Sequence, residues 1–171
     1  MAMLFRHTDR RFGFTWDSAD QPAGRWHGVG EGPVQYLADS PDTAWAEFLR
    51  SEEITDPDEL DGIERCIWVV EVPDAELSAV AHPSAVSPSH DECQTLARSL
   101  RADGSPGLVA PSAALEQAPG WGSSSAGLTP ASPRSAWVAA IFGATPHWRG
   151  WMCHDSGRPH PSLLSQIRRS A

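Results

Sequence analysis

Residues 24–50 read GRWHGVGEGPVQYLADSPDTAWAEFLR. The stretch holds a glycine-flanked arginine, the single tyrosine of the chain, and one glutamate, Glu47, set among Ala44, Trp45, Ala46, Phe48 and Leu49. Residues 33–38, PVQYLA, alternate so that Val34, Tyr36 and Ala38 share a face, which predicts a short strand. Ser40-Pro41-Asp42 then opens a helix. Ser40 suits the N-cap, proline the first helical position, and Asp42 the positive end of the helix dipole. The helix should run to about Arg50, with Thr43 and Glu47 on one face. Read from that helix alone, Glu47 belongs to its solvated side.

Outward from this stretch, Leu4-Phe5-Arg6-His7 predicts a short strand and residues 17–32 a loop. Residues 52–64 form an acidic connection. Residues 66–72, CIWVVEV, give the clearest strand, ended by Pro73. Residues 90–100 predict a helix with Ser89 as cap, Leu96 and Leu100 on one face, and a stop at Asp103-Gly104. A strand over 107–110 ends at Pro111-Ser112. Residues 118–133 are rich in Gly, Ser and Pro and read as a loop. Residues 135–142 predict a strand, and the tail from Gly143 a loop with a short helix near residues 163–169. Strands and helices mix without regular βαβ spacing, so an α+β fold in one domain spanning 1–171 is expected.

Composition excludes several chemistries. The chain carries a net charge of −9 and no lysine; its 13 basic residues are all arginine. A Schiff-base or Walker-A lysine is therefore ruled out. An acidic chain lacks the dense positive charge that phosphate backbones need, so no nucleic-acid partner is expected. A local arginine patch can still hold a small anion. No apolar run approaches the roughly 20 residues that span a bilayer, and the N-terminus lacks a signal-type apolar core. A cytoplasmic protein with no membrane contact is expected.

The cysteines, Cys66, Cys93 and Cys153, are odd in number and far apart, which argues against a disulfide framework or zinc knuckle. Cys66, in an apolar run, reads as core. His147, Cys153, His154, Asp155 and His160 fit no usual zinc spacing, so no metal is expected. G-x-S-x-G is absent, and Gly24, Gly28, Gly30 and Gly32 do not make G-x-G-x-x-G. Ser112, after a strand, reads either as a nucleophile or as a turn cap.

The ordered set Gly24-Arg25-Trp26, Tyr36-Leu37-Ala38, Ala46-Glu47 and Gly107-Leu108-Val109-Ala110-Pro111-Ser112 resembles the RES-domain family, with Leu4-Phe5-Arg6 matching an early arginine there. The resemblance covers about residues 3–143 and leaves 144–171 as a C-terminal extension. His27 stands where the family commonly has Asn, and Ala23 replaces the first glycine of its pair. The resemblance implies a diphtheria-toxin-type, ADP-ribosyltransferase-like fold: a split β-sheet with flanking helices and NAD+ in the cleft. It also implies the toxin of a toxin–antitoxin pair, with a cognate antitoxin occluding the cleft. NAD+ would be substrate rather than cofactor, cleaved by water or phosphate. Transfer of ADP-ribose to a protein acceptor is the alternative, and a non-catalytic interaction module keeping the fold is a second.

The residue types suit that chemistry. Breaking the nicotinamide–ribose bond builds positive charge on the ribose while a neutral base leaves. One fixed carboxylate stabilises that charge, and no acid is needed for the leaving group. Glu47 takes this role. Arg25 suits the pyrophosphate through charge-assisted hydrogen bonds, and Arg6 is a second candidate. Tyr36 offers a flat face for nicotinamide and a hydroxyl. Ser112 then orients the ribose or Glu47 rather than attacking. Trp148 and Trp151, flanking Arg149, read as core or as a partner surface or cleft lid.

Overall fold

The computed structural model describes residues 1–83 and 89–168. The expected loop at 83–89 and the end of the expected tail helix therefore lie partly outside the described residues. The main sheet has six strands in the order β4-β7-β2-β1-β3-β8. They are β1 (Ala2–Thr8), β2 (Val34–Ala38), β3 (Arg65–Val72), β4 (Gly107–Pro111), β7 (Trp137–Phe142) and β8 (Arg149–Gly157), with every pairing antiparallel. A separate hairpin joins β5 (Gln117–Ser124) to β6 (Gly127–Ser135). The helices are α1 (Pro41–Ser51) and α2 (His90–Ala102). Among the described residues, no helix is long and apolar enough to cross a membrane.

The sheet is two leaves joined at a narrow seam. β1 pairs with β3 along its whole length, from Ala2↔Val72 to Thr8↔Cys66, and β2 pairs with β7 from Val34↔Phe142 to Ala38↔Val138. Between β1 and β2 the register holds a single pair, Phe5↔Ala38. Beyond that pair the strands diverge, and the backbone hydrogen bonds that would close the sheet are replaced by side chains lining a gap.

Three packed clusters hold the leaves. α1 buries Trp45, Ala46, Phe48 and Leu49 against Ile67 of β3, Leu115 and Leu163. α2 buries Cys93 and Ala97 against Val34, Leu108, Ala110 and Ala140, with Leu96 and Leu100 packed alongside. Leu4, Leu37, Val70, Val72, Ala139 and Ile141 fill the opposite sheet face. Because both faces are covered, the central strands read as near-continuous apolar runs rather than as alternations. α1 begins as the sequence dictates: Ser40 accepts a hydrogen bond from the Thr43 amide, Pro41 follows, and Asp42 lies in the first turn. Ser89 occupies the N-cap of α2 but makes no side-chain capping bond. Cys66 is buried as expected.

Two expectations are corrected. Residues 118–133 are not a loop but most of the β5–β6 hairpin, closed at Ser124↔Gly127 with Gly127 at φ +111°. That left-handed angle explains the glycine. Every residue of β6 is exposed, so a backbone ladder, not an apolar face, defines the strand. The tail is likewise not merely loop: β8 pairs with β3 from Arg65↔Gly157 to Glu71↔Arg149, through two register irregularities. Pro161–Gln166 forms a short 3-10 turn where a helix was expected.

Candidate active site

The gap beside the Phe5–Ala38 pair opens into a cavity of about 920 Å³, lined among others by Arg6, Arg25, Tyr36 and Glu47. Its size lies at the upper end of the range for small-molecule sites, about 300–1,000 Å³. Arg50, Arg65 and His7 also line it. A chain of net charge −9 thus gathers four arginines on one concavity. Asp9, Asp17 and Glu47 line it too, so the cavity mixes both signs of charge, with the guanidinium groups suited to an anionic part of a ligand.

Glu47 stands on α1 with Oε1 held by three donors. Ser112 Oγ donates at 2.6 Å, the Ala113 amide at 2.9 Å and the Ala114 amide at 3.3 Å. Ser112 is buried just beyond β4, and its hydroxyl also accepts from the amides of Ala114 and Leu115. It is both a turn cap and the hydroxyl that orients Glu47. All three bonds converge on one carboxylate oxygen, which leaves Oε2 for the cleft. The surfaces of α1 and the β4 end therefore meet so that the glutamate is fixed rather than solvated.

Arg25 sits in a tight turn that Tyr36 holds from below. The Tyr36 hydroxyl accepts from the Trp26 amide at 2.9 Å and lies 2.9 Å from His27 Nδ1. A Cβ on Gly24 would fall 2.7 Å from that hydroxyl, which accounts for glycine before the arginine. Gln94 on α2 donates to the carbonyls of Gly24 and His27, completing the clamp. Burial is the largest effect on the phenol and raises its pKa, so the hydroxyl stays protonated. The Tyr36 hydroxyl is thus committed to this turn, and the residue also lines the cavity. Arg25 Cζ lies 5.2 Å from the Trp26 ring centre and its Nε donates to Cys93 Sγ at 3.4 Å. Its Nη1 is buried with no partner among the described residues, a donor held ready for an acceptor.

Arg6 extends from β1 with Nη1 donating to Gln35 Oε1 at 2.9 Å. Burial lowers its pKa to about 10, so it keeps its charge at neutral pH. Gln35 is fully buried and ties the loop over the cleft to the sheet: its Oε1 also accepts from the Trp16 amide, and its Nε2 donates to the Trp16 carbonyl. Neither Gln35, Gln94 nor His7 is legible as a site residue from sequence. Each acts through a partner distant in the chain.

The remaining sequence candidates fall elsewhere. No group of three or more His, Cys, Asp or Glu able to hold a metal occurs among the described residues. Trp148 packs partly buried against the cluster of Leu4, Leu37 and Val70, whereas Trp151 is exposed on β8; neither lines the cleft.

The RES domain family model matches residues 3–149. The chain belongs to the RES domain family. The match spans β1 through the start of β8 and so includes both leaves and the cleft between them. No curated protein matches the chain. Among solved structures, this RES domain is similar to a chain of the M. tuberculosis MbcT–MbcA toxin–antitoxin complex. The identity is 16%, with a TM-score of 0.59 over 98% of this chain and 88% of that one. At that identity the likeness concerns the fold.

Proposed function

We propose that this RES domain degrades NAD+ by cleaving the bond between nicotinamide and ribose, with an ADP-ribosyltransferase-like split sheet providing the cleft. The observation that carries the reading is the solitary carboxylate: Glu47, pinned through Oε1 by Ser112 and two amides, in a cavity that Arg25 and Arg6 also line. A dinucleotide brings a diphosphate for the arginines and a ribose for the glutamate. Nicotinamide leaves as a neutral base. The ribose then carries growing positive charge, and the fixed carboxylate stabilises it without reorganising. In this reading Glu47 Oε2, which Ser112 and the two amides leave unbonded, orients an incoming water or phosphate. Ser112 holds the carboxylate and does not attack. NAD+ is the substrate, and neither a metal nor another cofactor is part of the scheme.

Membership of the RES family and the fold shared with a chain of a toxin–antitoxin complex support a toxin role with a protein antitoxin covering the cleft. The net charge of −9 fits an enzyme without a nucleic-acid partner, and the proposed setting is the cytoplasm.

The test is incubation of the purified chain with NAD+ alone. Nicotinamide release without any protein acceptor supports the reading, and its dependence on added phosphate separates phosphorolysis from hydrolysis. Glu47→Ala should abolish release and relieve growth arrest on expression. Label incorporated into a protein only when an acceptor is present would identify an ADP-ribosyltransferase instead. A fully active Glu47→Ala would sink the assignment of the carboxylate.

A further inference from the structure

Arg65 opens β3 and lines the same cavity as Glu47. Sheet register explains how it gets there. His7 of β1 faces Ile67 of β3, so Arg65, two residues along, stands diagonal to His7 on the same face of the sheet. Arg65 Nε donates to His7 Nδ1 at 2.9 Å, and its Cζ lies 4.8 Å from the ring centre of Phe48, the residue after Glu47. His7 is itself fixed, stacked on Trp45 at 5.9 Å with planes 8° apart and edge-on to Phe48 at 4.8 Å. One edge of the guanidinium is thus consumed by a neutral imidazole and one face by an aromatic ring. Its two terminal nitrogens make no hydrogen bond to described residues. Other arginines of the cavity are differently engaged: Arg50 Nη1 donates to the carbonyls of Ala113 and Arg168, and Arg6 Nη1 to Gln35.

A guanidinium steadied by a neutral acceptor is a different device from a salt bridge. A carboxylate partner in contact would pair its charge; imidazole fixes its direction without pairing it, while Asp9 and Glu52 act on it only through space. Burial, followed by the nearby Arg65 and Arg6 charges, lowers the His7 pKa to about 3, so the ring accepts rather than donates throughout the physiological range. The Phe48 face adds cation–π attraction and removes water from one side.

We propose that Arg65 is a substrate-binding residue whose free fork takes phosphate oxygens of the dinucleotide, and that His7 is its positioning residue. The proposal rests on the NAD+ reading above and adds a binding group on the Glu47 side of the cleft. Because Arg65 touches a part of the substrate that does not change charge, its contribution is uniform binding, which sets KM rather than kcat.

NAD+ turnover by the full chain is compared for wild type, Arg65→Gln, His7→Phe and His7→Gln, with melting temperature measured for each. Arg65→Gln should raise KM about tenfold or more with kcat within about threefold. His7→Phe, which keeps an aromatic ring but loses the acceptor, should raise KM about three- to tenfold. His7→Gln, whose Oε1 can accept from Arg65 Nε, should restore most of that loss. An unchanged KM in Arg65→Gln, or a fall in kcat alone, overturns the proposal. If Arg65→Gln does not fold, Arg65→Lys replaces it; lysine keeps the charge but not the fork, and an unchanged KM again overturns it. Calorimetric binding of inorganic pyrophosphate separates this proposal from the catalytic reading. A wild type that binds pyrophosphate but releases no nicotinamide sinks the catalytic reading alone. Loss of that binding in Arg65→Gln then sustains the role of Arg65; its retention, or no saturable binding by the wild type, overturns it.

Discussion

Ser112 and Glu47, 65 residues apart in the chain, are joined by a 2.6 Å hydrogen bond in which the serine hydroxyl donates to Oε1. The bond ties the end of β4 to the middle of α1 and fixes the one carboxylate the proposed chemistry needs. Ser112→Ala removes it, along with the acceptor for two amides. A hydrogen bond to a charged group contributes ~1.5–3 kcal/mol. NAD+ cleavage should therefore fall about ten- to a hundredfold, chiefly in kcat, with a lowered melting temperature. Steady-state kinetics and thermal melts on the same samples check both.

Gly24 and Tyr36 form a steric pair. Gly24→Ala would bring a Cβ to 2.7 Å from the phenol oxygen, displacing the Arg25 turn and raising KM. Tyr36→Phe removes the hydroxyl and leaves the Trp26 amide without its acceptor, costing ~1–3 kcal/mol of stability. The double variant should be less impaired than the sum of the singles, because the clashing atom is gone. A double-mutant cycle on stability and KM reads the coupling directly.

Acid stability should follow His7. The unfolded chain protonates it near the ordinary 6.5, whereas the folded chain does so only near about 3. Between those values the unfolded state binds the extra proton, so stability falls as pH drops from 6.5 toward 3, by up to ~1.4 kcal/mol per pH unit. His27, buried and also lowered, adds in the same direction. Denaturant midpoints across this window should slope less in His7→Phe than in the wild type.

Arg134 reaches from β6 to the buried Asp39 carboxylate at 2.7 Å and donates to its backbone carbonyl. Arg134→Ala would strand a buried charge, a change that typically costs ~3–5 kcal/mol; the half-exposed arginine places the cost at the lower end. Hydrogen exchange should show the β5–β6 hairpin losing protection before the main sheet does.

The opening stretch was legible because its signals are local. Ser40, Pro41 and Asp42 define a helix start wherever they occur in that order, and the alternation around Tyr36 needs no partner to be read. The hairpin was not legible because its strands lack an apolar face. Pro130 and Pro133 within β6 argue against a strand, yet an edge strand tolerates them. β8 was hidden for a related reason: GWMCHDSG is largely exposed, and only its long-range pairing with β3 makes it a strand. Within the site, Glu47, Arg25 and Ser112 could be named from an ordered motif, and an orienting role of Ser112 toward the ribose or Glu47 could be proposed; the choice of Glu47 comes from the structure. That the Tyr36 hydroxyl serves the Arg25 turn and that His7 steadies Arg65 are facts of register and packing. No interval in the sequence encodes them.

The cleft lies where backbone pairing between the two leaves is thinnest, at the lone Phe5–Ala38 rung. A dinucleotide gripping Arg65 and Arg6 on one leaf and the Arg25 turn on the other would rivet the two together, so the occupied protein should melt as a stiffer unit than the empty one.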